Sequence, residues 1–196
     1  MKKFCVLVTL LYAFALVGCL DRETRMRTYL EELSTCQARI RSLSQEFQLG
    51  LGQVSQKSAP APIETARWEK DWDHLEERLK AERFCLEALV VPEAATELHQ
   101  ATLEQCQILI ETVEVTRPLL EVSGDLARAN RRVEDDPRAS KKMIEEIERG
   151  EARRESLASK LEELNARSQD CEDQISHQYR RLEKEFDIPL QVEDGP

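Results

Sequence analysis

The chain has 196 residues, 41% of them hydrophobic, 34% charged and 5% aromatic, with 6 Gly and 7 Pro. That length suits one domain or two small ones, and so little Gly and Pro argues against a β-sandwich with frequent turns or a linker-dominated chain. A net charge of −10, from 28 basic and 38 acidic residues, argues against a nucleic-acid partner, because phosphate contacts need a basic face.

The apolar residues are concentrated at the N-terminus. Lys2 and Lys3 precede an apolar run, Phe4 to Val17, interrupted only by Thr9. The run suits the hydrophobic region of a signal peptide and falls short of the roughly 20 residues a membrane-spanning helix needs. It ends in Leu16-Val17-Gly18-Cys19, and Asp21-Arg22-Glu23 follow. This end resembles the lipobox of bacterial lipoproteins. The resemblance covers only the first 20 residues or so. It implies cleavage after Gly18, a diacylglycerol thioether on Cys19 and acylation of the new N-terminus, including palmitate. Several acyl chains on one residue anchor a protein stably where one does not. Residue 20 is Leu. In such lipoproteins an Asp there is similar to an inner-membrane retention signal, so in a host with two membranes the outer one is the expected location, with the chain facing the periplasm or the cell surface. Removing 18 residues from 196, Lys2 and Lys3 among them, leaves 178 and moves the net charge from −10 to −12.

The remainder reads as an all-α, antiparallel up-down bundle with long coiled-coil-like helices. Met26, Tyr29, Leu33, Cys36, Ile40, Leu43 and Phe47 follow alternating steps of three and four, the seam of a coiled coil. The first helix is expected over about 23–49, stopped by Gly50 and Gly52. Residues 53–62 form a Pro-containing loop. A second helix, about 64–90, carries Trp68, Trp72, Leu75, Leu79, Leu86 and Leu89, and Pro92 ends it. The Trp pair reads as core packing more than as an exposed aromatic patch. A third helix, about 93–131, carries Leu98, Cys106, Leu109, Val113 and Leu120. Its middle holds strand-like residues around Ile108-Leu109-Ile110, and Pro118 is expected to kink or split it. A fourth, about 137–186, begins with Asp136 as N-cap and Pro137 at the first position. Its seam runs through Met143, Ile147, Gly150, Arg154, Leu157, Leu161, Leu164, Ser168, Cys171, Ile175, Leu182 and Phe186. Glu145–Arg149 and Glu163–Arg167 have favourable i,i+4 order. Residues 187–196 read as a flexible tail.

Of the six cysteines, Cys5 leaves with the signal and Cys19 carries lipid. Cys36, Cys85, Cys106 and Cys171 remain for two disulfides. In an up-down bundle Cys36 and Cys171 each lie about 15 residues above the lipid end on neighbouring helices, which favours Cys36–Cys171. Cys85–Cys106 then follows by exclusion, although the two differ in height by roughly 13 Å.

The expected lengths of the last two helices make residues 118–150 a two-helix protrusion away from the membrane. Its tip holds Arg128, Arg131, Arg132, Arg138, Lys141 and Lys142 against Asp125, Glu134, Asp135 and Asp136, a local reversal of sign that offers a partner surface. No catalytic, dinucleotide, P-loop or di-iron motif appears, and no cofactor or metal is implied. His74 between Asp71 and Glu77, and the Asp173–His177 pair, read as solvated helix faces. The expected function is non-enzymatic, an envelope interaction or scaffolding module with an unidentified envelope protein partner and scope for self-association. The alternative is a binding protein holding a small or apolar ligand between its helices.

Overall fold

A computed structural model describes the backbone of residues 2–55, 62–135 and 141–188, and the side chains of 21–51, 70–133 and 141–188. Among these residues the fold is all-α. Helix α1 spans Lys2–Ser55, α2 Pro62–Glu87, α3 Thr96–Asp135 and α4 Lys141–Phe186, with a 3-10 turn at Glu93–Ala95 before α3. The calls for Asp136 and Pro137 as the start of the last helix, for Trp68 in the core and for a tail over 189–196 lie outside the described residues.

The boundaries differ from the expected ones for physical reasons. Helix α1 is continuous with the apolar N-terminal segment and runs through both glycines. No described glycine has positive φ, so neither acts as a helix stop. Gly50 instead lies where α1 passes Trp72, a Cβ there falling 3.7 Å from the indole Nε1. Pro118 sits inside an unbroken α3. It leaves the Glu114 carbonyl without its usual donor, a loss that packing along α3 overrides. Helix α4 ends at Asp187, whose φ of 49° is the left-handed conformation of a helix stop. Asp187 is exposed, and Ile188 after it packs into the core.

Ion pairs fix the register. Arg39–Glu82 at 2.8 Å and Arg78–Glu46 at 2.7 Å set α1 antiparallel to α2. Arg117–Asp73 at 2.6 Å does the same for α2 and α3. Arg167, paired with Glu104 at 2.7 Å and Glu111 at 3.0 Å, does it for α3 and α4. Arg167 thus reaches across to the neighbouring helix and not along its own to Glu163.

The core has two parts. The larger joins α1, α2, the inner face of α3 and the lower part of α4 through Met26, Tyr29, Leu33, Leu79, Leu86, Leu98, Val113 and Leu182. The whole predicted α1 seam is buried in it. The smaller joins Ile108 and Val115 of α3 to Leu164 and Cys171 of α4. Ile108 and Ile110, two residues apart and so on opposite sides of a helix, belong to different parts. This explains the strand-like run in the sequence: α3 is a helix with two apolar faces, packed between α1/α2 and α4. Helix α4 reaches α1 near the base, where Arg22 pairs with Glu185 at 2.9 Å and its guanidinium lies 5.0 Å from the Phe186 ring centroid.

Candidate functional surfaces

The four described cysteines are free thiols, which corrects the expected Cys36–Cys171 and Cys85–Cys106 bridges. Cys36 belongs to the larger core and Cys171 to the smaller one, because α4 packs on α3 at that height. Cys106 is fully buried and its thiol donates to the Leu79 carbonyl at 3.6 Å. Burial pushes that thiol up to about 11. Cys85 is exposed. A level up-down bundle would put the α2–α3 turn beside the start of α1. In the structure Arg181 of α4 donates to the Ala94 carbonyl at 2.5 Å and His99 stacks against Tyr29, so the turn sits beside residues several positions above Arg22. That stagger raises Cys85 to the height of Cys36.

Near the base a polar chain crosses three helices. Tyr179 of α4 donates to Gln37 Oε1 of α1 at 2.7 Å. Gln37 Nε2 donates to Thr102 Oγ1 of α3 at 3.2 Å, and Thr102 donates to the Leu98 carbonyl at 2.9 Å. Burial raises the Tyr179 hydroxyl to about 12. Beside this chain lie the Tyr29 hydroxyl and His99 Nδ1, both buried with no hydrogen-bond partner among the described residues. Their rings are 6.1 Å apart, and burial lowers the proton affinity of His99. Sequence reading passed over His99, Gln37 and Thr102, since a polar residue on a seam shows its partner only when the register of three helices is fixed.

The expected basic tip is present in part. Arg128 pairs with Asp125 at 2.5 Å and Lys141 with Glu145 at 3.9 Å, while Arg131, Arg132 and Lys142 are exposed. Arg138 lies outside the described residues. Because α1 extends to Ser55 and α2 begins at Pro62, the tip stands less far above them than the expected lengths implied. Trp72 is buried edge-on against Phe47 with centroids 6.2 Å apart, a core contact. His74, Asp173 and His177 are exposed, and no group of three His, Cys, Asp or Glu among the described residues is placed to hold a metal ion. Glu111 has its carboxyl held below the ordinary range, first by a hydrogen bond from Gln107 at 3.0 Å and then by Arg167. That chemistry ties helices together.

Cys19 lies on the helical backbone of α1, two residues before the described side chains begin. No helix among the described residues is long and apolar enough to cross a membrane. No protein-family model, no curated protein and no solved structure matches the chain.

Proposed function

We propose that the chain is a lipoprotein anchored through Cys19, acting as a non-enzymatic interaction or scaffolding module in the bacterial cell envelope. The observation that carries this reading is the ordered N-terminus: Lys2-Lys3, the apolar run to Val17, Leu16-Val17-Gly18-Cys19, and then a polar amphipathic helix. The seam of α1 starts at Met26, so only a short stretch separates the lipid from the packed bundle, and the base stands close to the bilayer. In a host with two membranes, Leu20 at the place of a retention Asp supports an outer-membrane position. Lipid supplies location and a high local concentration, and the charged outer faces, the Arg131/Arg132/Lys142 tip among them, supply surface for an envelope protein partner.

Two measurements test this. Labelled palmitate is incorporated by the wild-type chain and not by Cys19→Ala; equal labelling of both, or of neither, overturns the anchor. Affinity capture of the intact protein from gently solubilised membranes recovers a specific envelope protein, and capture of none overturns the scaffold reading.

A further inference from the structure

Cys36 of α1 and Cys85 of α2 stand at the same height where the two antiparallel helices pack. The Arg39–Glu82 pair at 2.8 Å fixes which residues oppose each other. In antiparallel helices, three residues toward the start of α1 and three toward the end of α2 give 36 and 85, each about one turn from the ion pair on its own helix and so at the same height. Arg39 Nη2 donates to Cys36 Sγ at 3.4 Å. Cys85 lies within electrostatic range of both Cys36 and Arg39. The accessibility of the two sulfurs differs sharply. Cys36 is 4% exposed, whereas Cys85 is exposed at the α2 surface beside Phe84, itself 72% exposed.

We propose that Cys36 and Cys85 are a vicinal thiol pair that a low-molecular-weight disulfide oxidant converts into a bond stapling α1 to α2. The sulfurs are free and not at bonding distance in this structure, so closure brings the solvent-exposed Cys85 side chain to Cys36. With glutathione disulfide as oxidant, the Cys85 thiolate attacks one sulfur and expels a glutathione thiolate, leaving a mixed disulfide on Cys85. Cys36, losing its proton as it reacts beside the Arg39 guanidinium, then attacks the Cys85 sulfur and expels the second glutathione. Two protein thiols are oxidised, one glutathione disulfide is reduced to two glutathione thiols, and the two thiol protons end on the two departing thiolates. Cys85 leads because it is exposed; Cys36, whose ionisation burial opposes and Arg39 favours, resolves. The proposal rests on the α1–α2 register and is independent of lipid anchoring.

The test is disulfide mapping of the full chain in detergent after treatment with glutathione disulfide. Trypsin combined with a glutamyl endoprotease cuts at Glu87 and so separates Cys85 from Cys106. The expected product is a Cys36 peptide joined to the Cys85 peptide and lighter than the two by two hydrogens, with Cys106 and Cys171 alkylated only after denaturation. The Cys36→Ser variant keeps glutathione on Cys85. The wild-type map decides alone if that variant loses its helical circular dichroism. Glutathione persisting on Cys85 of the wild-type chain overturns the proposal, as do Cys36 joined to Cys106 or Cys171, a Cys85–Cys85 link between two chains, and an unreacted Cys85.

Discussion

Tyr29 and Tyr179 are both tyrosines packed near the base, yet they bear on stability in opposite senses. The Tyr179 hydroxyl is the first donor of a chain that ties α4 to α1 and α3, while that of Tyr29 is buried without a partner. Tyr179→Phe leaves Gln37 Oε1 without its donor and costs about 1 kcal/mol in urea unfolding. Tyr29→Phe removes an uncompensated polar group and is neutral or stabilising by up to about 1 kcal/mol on the same measurement. His99 sets a pH dependence. Burial lowers its proton affinity below the ordinary 6.5, so below that pH the unfolded chain takes up a proton that the folded one resists. Its contribution to stability is therefore present above 6.5 and is lost as pH falls from there toward the lower folded value. Replacing it by Gln flattens the change in urea midpoint between about pH 7 and about pH 5; an unchanged slope counts against the assignment.

At the scale of elements, the period of three and four in α1 was legible residue by residue, since every seam position from Met26 to Phe47 is buried. Helix ends were less legible. Gly50 and Gly52 carry a stop signal that only positive φ makes real, and Pro118 carries a break signal that two packed faces override. Thiol pairing was illegible, because it depends on the height of the α2–α3 turn, which no local pattern encodes. Gly150 shows how closely α3 and α4 approach: a Cβ there falls 2.7 Å from Leu126 Cδ2. In a Leu126→Ala background Gly150→Ala gains about 1 kcal/mol from helix propensity. With Leu126 present the same change gains less or turns unfavourable, a coupling of at least about 0.5 kcal/mol in a thermal-denaturation double-mutant cycle.

On the scale of the whole molecule, burial is uneven along α4. From Lys141 to Glu163 none of its residues is buried, and from Leu164 onward Leu164, Cys171, Ile175 and Leu182 are. Amide hydrogen exchange in 141–160 is accordingly faster than in 164–186, as mass spectrometry of overlapping peptides reads directly. Uniform protection along α4 would contradict this. The functional surface was the least legible part at this scale. The proposed address at Cys19 rests on a local chemical signal, a short motif that sequence alone can carry. The exposed charges of Arg131, Arg132 and Lys142 carry no such local signal, because what a charged surface binds depends on chemistry outside this chain.

The two-faced α3 has a mechanical consequence. A load applied at the tip and resisted at the start of α1 enters along α3 and α4 and leaves along α1. Between them it is carried by shear across the two faces of α3 and by the clasp of Arg22, Glu185 and Phe186 at the base. Long antiparallel helices loaded in shear share the force over many side chains at once, whereas a clasp at one end peels. The base contacts between α1 and α4 are therefore where such a molecule yields first, and the interior wall that α3 forms is where it holds.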